Sequence, residues 1–379
     1  MRRAALAACA AAAVALAAAA RAQNVNPDIS VIGDVRAFVS GDAADPKEGD
    51  LQLDLESAEL ALGGYLNPFA RADVYVGYHD DEFDLEEAYA TILRGLPGGL
   101  QIRAGKYRVD FGKLNLLHPH AYSFLDTPLV HRELLGEEGL TDIGVNLNLQ
   151  APLGKTVLTA SGNVLKGDFA EEHAHDHEGD EAVAGLRGLT AAFRGGALQA
   201  DEDAETDIGT SERLGLFVPT GEYAGFEVGI NALQGTLDRR TGREVELLGA
   251  DVKYRWAPDK FRSLTVQGEW IRSDRDVEHA GSPDGGIERV RADGFYAFLD
   301  WRFAQRWNAG VIGERSGMAE QEGVSIERVG AFAGFQLMEE TTVLRLLLRH
   351  SDGDELAEPV REAILQLAFS LGPHRAHWF

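Results

Sequence analysis

The chain has a single cysteine, Cys9, and it falls within the first ten residues. If that stretch is removed, the remainder has no thiol, which excludes disulfides, thiolate nucleophiles and thiolate metal centres. Long apolar runs are also missing, with one exception. Residues 4–20 are almost entirely Ala, Leu and Val, they follow Arg2 and Arg3, and they lead to the small-x-small site Ala20-Arg21-Ala22. This is the layout of a secretory signal peptide over residues 1–22, with a mature start at Gln23. Leu6-Ala7-Ala8-Cys9 has the composition of a lipoprotein acylation box, but it precedes the apolar stretch instead of following it. Beyond residue 22 no run of about 18 apolar residues exists, so no helix can span a bilayer. Positive charge is scarce: 36 Lys and Arg stand against 61 Asp and Glu, a net charge of −25. So acidic a chain argues against nucleic acid as a partner and favours cations near its surface. Proline is sparse (12) and glycine abundant (43), as strands and tight turns require.

What fills the chain instead is alternation. In Asp142–Gln150, Ile143, Val145, Leu147 and Leu149 share one face, and Asp142, Gly144, Asn146, Asn148 and Gln150 share the other. Period-2 alternation is the signature of a strand with two unlike surfaces. The pattern returns in Phe226, Val228, Ile230 and Ala232 against Glu227, Gly229 and Asn231, and in Leu248, Ala250, Val252 and Tyr254 against Asp251 and Lys253. It returns again in Leu264, Val266 and Trp270 against Gln267 and Glu269, and in Leu344, Leu346 and Leu348 against Arg345 and Arg349. A soluble sandwich would turn the apolar face to a core; a membrane barrel turns it to lipid and the polar face to a wet lumen. Without a spanning helix, a closed barrel is the remaining way to satisfy every backbone group inside a bilayer.

The spacing predicts about sixteen strands, beginning near residues 28, 51, 69, 84, 100, 141, 155, 209, 225, 243, 262, 288, 306, 323, 341 and 360. Even connections are tight, such as Asn67-Pro68, Pro219-Thr220-Gly221 and Ala257-Pro258-Asp259. Odd ones are generally longer and acidic: 39–50, 109–140, 166–208, 275–287 and 351–359. An even strand count with alternating short and long connections is the plan of outer-membrane barrels, with short periplasmic turns and long outside loops. The fold class is therefore all-β, a transmembrane antiparallel barrel in one domain over 23–379. Tyr65, Phe69, Trp256, Phe261, Trp270, Trp301 and Trp307 are candidates for interfacial aromatic girdles.

Two motifs carry a resemblance. Ala104-Gly105-Lys106-Tyr107-Arg108-Val109-Asp110-Phe111-Gly112-Lys113 resembles the strand end of phosphate-selective porins and general diffusion porins. The final amphipathic strand and the terminal Phe379 resemble the signal read by the outer-membrane barrel assembly machinery. The resemblance implies a Gram-negative outer membrane, a surrounding of outer-membrane lipid, a homotrimer, and a third outside loop, here 109–140, folded into the barrel to narrow the pore. The chain departs from the phosphate-selective pattern in its acidity, since those porins line the pore with a ladder of Lys and Arg.

If loop 109–140 constricts the pore, His118, His120, Asp126, His131, Arg132 and Glu133 meet the permeating solutes. Asp251, Lys253, Glu269, Arg302, Arg345 and Arg349 are the expected pore lining, because they alternate with the apolar set. His173, His175, Asp176, His177 and Glu178 have a spacing and chemistry suited to Zn²⁺, although no cofactor is required. Catalysis has little support: His350 and Ser351 are adjacent on a strand and face opposite ways, and no nucleophile elbow or phosphate loop occurs. The sequence thus points to a porin passing small hydrophilic solutes with a cation bias. A zinc-capture protein built on the His-rich loop is the alternative, and a lipid hydrolase the third reading.

Overall fold

A computed structural model describes residues 27–79, 82–136, 139–167, 207–278, 286–338, 341–354 and 356–372. The signal segment 1–22, the His-rich set His173, His175, Asp176, His177 and Glu178, and Phe379 lie outside the described residues. The alternating stretches form sixteen strands: β1 (Asp28–Ser40), β2 (Gln52–Asn67), β3 (Ala70–His79), β4 (Glu82–Ile92), β5 (Gln101–Arg108), β6 (Thr141–Leu153), β7 (Thr156–Leu165) and β8 (Asp207–Pro219) come first. They are followed by β9 (Ala224–Asp238), β10 (Arg243–Trp256), β11 (Ser263–Glu278), β12 (Ile287–Ala304), β13 (Trp307–Gly317), β14 (Ser325–Met338), β15 (Thr342–Gly353) and β16 (Val360–Leu371). Each strand pairs antiparallel with its sequence neighbours, and β16 returns to β1 with Val31 opposite Leu371 and Ser40 opposite Glu362. Closure leaves no edge strand, so every strand has two hydrogen-bonded neighbours.

The outer face explains the alternation. Leu147, Ile230, Leu248, Phe295, Val311, Leu348 and Phe369 all point outward and are exposed. On β10 the apolar outward set runs from Leu248 to Trp256; nine residues at about 3.3 Å each, tilted by about 40°, cover roughly 23 Å of membrane depth. Tyr65, Phe69, Trp256, Phe261, Trp301 and Trp307 are exposed beside the short turns and form a girdle at one rim. Trp270 sits farther along β11, so it does not belong to that rim. Above the belt the outward face changes abruptly to paired charges: Arg272 and Arg291 both meet Asp274, and Arg289 meets Asp276. Those charges mark where the strands leave the apolar zone on the long-loop side.

The inner face departs from the expectation of a uniformly wet lumen. Toward the long-loop side of β9–β16, the inward face carries a buried apolar set, Leu233, Val245, Leu247, Ile271, Ile312, Leu347 and Ile364, interspersed with buried charged groups such as Arg275, Glu314 and Arg349. The apolar side chains meet a second apolar set from loop 109–140, which enters the barrel and carries Val109, Phe111, Leu114, Tyr122, Phe124, Leu125, Val130, Leu134 and Leu135. The loop contains a 3₁₀ turn at Pro119–Ala121 and a short α-helix, α1 (Leu129–Leu135), which packs against β11, β12 and β13. The barrel therefore has a hydrophobic core of its own, built between the inner wall and the inserted loop. Burial of apolar area drives this insertion, because the loop's hydrophobic side chains gain the same shielding from water that a globular core would provide.

Candidate functional site inside the barrel

Three polar anchors set the position of the inserted loop. The first is Glu269 on β11. Its carboxylate accepts the backbone N–H groups of Lys113 (2.7 Å) and Leu114 (2.8 Å), and His131 Nε2 lies 2.9 Å away. Gly112 has φ +68°, and a Cβ there would stand 2.3 Å from the Glu269 carboxylate. Only glycine suits both the left-handed backbone and the close approach. Gly112 N–H donates to Asn231 on β9 (3.0 Å), and Asn146 on β6 donates to Asp110 (3.1 Å).

The second anchor is Asp126. Arg36 of β1 donates to it at 2.5 Å, and Arg349 of β15 forms a still shorter contact. Arg36 is also paired with Asp34 (3.0 Å), and Arg349 with Glu362 (2.5 Å). Burial acts upward on the Asp126 carboxyl, but Arg36 and Arg349 outweigh it and hold it well below the ordinary range. The third anchor is α1. Glu314 of β13 accepts the Leu129 N–H (2.7 Å), and Glu133 accepts the Ala319 N–H (2.8 Å). Burial pushes the Glu133 carboxyl up to about 7.

The loop residues proposed to meet solutes occupy unlike places. His118, His131 and Glu133 are buried, whereas His120, Asp126 and Arg132 are partly exposed. His118 Nε2 is 2.9 Å from Glu87 of β4, and the ring stacks on Tyr75 at 4.9 Å. Burial and Arg108 act downward on this imidazole, but the glutamates around it hold it well above the ordinary histidine value. The six expected wall residues all point inward, but their environments differ. Asp251 is bidentate with Arg213, Glu269 holds the loop, and Arg349 holds both Asp126 and Glu362. Lys253 is buried. Arg302 and Arg345 are only half-buried, near the short-turn end. Other half-exposed inward groups are Arg103, Glu56, and the close pair Lys113 and Glu227.

Sequence reasoning did not single out Arg36, Glu56, Glu59, Glu86, Glu87 or Glu314. Two β-bulges account for part of this. The register of β1 and β2 shifts between Asp34 and Val35, which makes Glu56 the extra residue. The register of β3 and β4 shifts between Tyr75 and Val76, which makes Glu86 the extra residue. A bulge breaks the two-residue period and re-aims the side chains that follow it.

No family model matches the sequence. A protein of Aquifex aeolicus, described only as uncharacterized, is 27% identical over a 387-residue alignment that covers 93% of this chain and 80% of that one. Among solved structures, Pseudomonas putida OprB aligns with a TM-score of 0.57 at 8% identity, covering 91% of this chain and 94% of that one. An anion-selective porin from Comamonas acidovorans aligns with a TM-score of 0.56 at 9% identity, covering 91% of this chain and 99% of that one. The chain has the fold of sixteen-stranded outer-membrane porins.

Proposed function

We propose that this protein is an outer-membrane porin through which small hydrophilic solutes diffuse, with a bias toward cations. The observation that carries this reading is the inserted loop: a closed barrel with an apolar belt needs no interior loop to sit in lipid, yet loop 109–140 is held across the lumen by charged anchors from β1, β11, β13 and β15. A loop so fixed sets a pore's cross-section. The charged side chains left half-exposed inside the barrel, Arg103, Glu56, Glu227, Arg302 and Arg345 on the wall and Lys113 on the loop, then meet whatever passes. The proposed surroundings are outer-membrane lipid at the belt, the barrel assembly machinery during insertion, and two further copies in a homotrimer. The net charge of −25 favours cations, in contrast to the anion-selective neighbour.

The test is electrical. Folded protein added to a planar bilayer should give stepwise conductance increments, and a salt gradient should give a reversal potential of cation-selective sign. Folded protein that yields no steps would remove the porin reading. Chemical cross-linking of the detergent-solubilised protein tests the trimer separately.

A further inference from the structure

Against the wall opposite the apolar core, three elements bring a mixed imidazole and carboxylate cluster together. His118 comes from the inserted loop, Glu59 from β2, and Glu86 and Glu87 from β4. His118 Nδ1 lies 2.9 Å from Glu86 Oε2 and 3.0 Å from Glu59 Oε2. The three ligating atoms all fall within 4.8 Å of one another. Both atoms of the closer pair, His118 Nδ1 and Glu86 Oε2, are buried, and they face each other without well-aligned hydrogen-bond geometry. The His118 and Glu59 side chains are each 7% exposed and that of Glu86 is 14% exposed.

A positive charge is needed at the centre of this arrangement, and either a proton on His118 Nδ1 or a metal ion supplies it. His118 Nε2 faces Glu87 Oε1 at 2.9 Å, so the ring's N–H is naturally directed there and the Nδ1 lone pair toward two carboxylates. With the imidazole neutral, Nδ1 and the two carboxylate oxygens are three acceptors converging on one point, the donor set a metal ion takes. A tetrahedral Zn²⁺ with bonds of 2.0–2.1 Å places its ligands about 3.3 Å apart, close to the spacings of this cluster. A carboxylate on the far nitrogen of a ligating imidazole is the usual way to fix its tautomer and raise its basicity, and Glu87 stands in that position. Arg108 is the cation facing the cluster, with its backbone N–H donating to Glu87 (2.9 Å), and three carboxylates outnumber it.

The local fold is shaped to this purpose. Glu86 and Glu87 are sequence neighbours and would point to opposite faces of a regular strand, but the bulge in β4 lets both reach His118. Opposite the bulge stands Gly77, where a Cβ would lie 2.1 Å from Glu86 Oε1. Tyr75 and His120 stack on the His118 ring, with centroids at 4.9 and 5.7 Å.

We propose that Glu59, Glu86 and His118 form a binding site for a divalent transition-metal cation of the Zn²⁺ type, with three protein ligands, one open position, and Glu87 as the positioning residue for the imidazole. The donor set of one imidazole and two carboxylates suits Zn²⁺ better than Ca²⁺ or Mg²⁺, which take oxygen ligands alone. Binding requires only the folded barrel, so it stands apart from whether the barrel conducts.

The experiment uses the whole mature chain, folded in detergent, with His173, His175 and His177 all changed to Ala so that the outside segment contributes nothing. Calorimetric titration with Zn²⁺ should show one site per chain, and Co²⁺ should give the visible absorption of a four-coordinate ion. His118→Ala, Glu59→Gln and Glu86→Gln should each weaken Zn²⁺ at least tenfold, and Glu87→Gln by roughly 10- to 100-fold. Gel mobility before and after boiling reports whether each variant has closed its barrel. If His118→Ala does not fold, Glu86→Gln, at the least buried of the three ligands, carries the test. The proposal is overturned if the triple-Ala protein binds no Zn²⁺ at tens of micromolar, or if folded Glu86→Gln binds it as tightly as its parent. An imidazolium bridging the carboxylates would then be the occupant.

Discussion

One buried carboxylate does most to place the loop. Glu269 receives two backbone N–H groups and lies against His131, so Glu269→Ala would leave three buried partners without an acceptor. Loss of one side of such a buried network costs on the order of 3–5 kcal/mol. We expect a variant that still folds, because the strand ladder is untouched, but whose loop opens; larger single-channel conductance and new protease cleavage within 109–140 would show it. Glu133 behaves differently. Burial raises its carboxyl from 4.5 to about 7, so the folded loop favours the protonated form. The stability this contributes is complete below about pH 4.5 and is lost as pH rises through about 7, up to roughly 3 kcal/mol. Glu133→Gln keeps an acceptor for Ala319 and should slow hydrogen exchange of α1 at pH 8 while changing little at pH 5. An equal effect at both pH values would show that Glu133 is ionised in the fold. At this scale the sequence was partly legible. His118-Pro119-His120 stands out by composition, but Glu86 does not, since strict alternation turns it to the opposite face from Glu87 and only the bulge brings both to His118.

Element by element, the strands were readable because their outward faces answer to lipid and little else. Strand starts follow the alternation closely, as at Thr141, Ala224 and Arg243. The inner core was harder to see. Its signal is a doubled apolar residue, such as Leu346-Leu347-Leu348 on β15, where an inward side chain is also hydrophobic and alternation fails. Leu247-Leu248 on β10 and Trp270-Ile271 on β11 carry the same mark. The distinction bears on β6. Leu147→Arg puts a charge against lipid and should cost about 2–4 kcal/mol. The bare alternation predicts that Asn146→Arg is harmless, but Asn146 is 2% exposed and bonded to Asp110 and Asn163, so it too should impair folding. Asn148, two residues nearer the short turn and less buried, is the inward position where Arg should be tolerated. Folding yields into lipid vesicles for the three variants check the order, and an undamaged Asn146→Arg would contradict the packed interior.

For the molecule as a whole, the recurring alternation was enough to count the sixteen strands, whereas the internal core depends on pairings between residues far apart in sequence. Ion preference is a property of the same scale. Screening reaches about 30 Å at 0.01 M salt and about 3 Å at 1 M. The excess of acidic residues should therefore give cation selectivity that fades as salt rises, with Arg302 and Arg345 opposing it near the short-turn end. Permeability ratios measured across that range test this, and an anion preference at low salt would reverse it. The paired grip on Asp126 has a mechanical consequence. Arg36 and Arg349 belong to strands on either side of β16, the seam where the chain's last strand meets its first, while Asn146 on β6 and Glu269 on β11 hold the start of the loop at Asp110, Lys113 and Leu114. The loop is a strut along a chord of a hollow cylinder. A cylinder braced in this way resists flattening, so lateral pressure from the surrounding lipid is taken up by the brace.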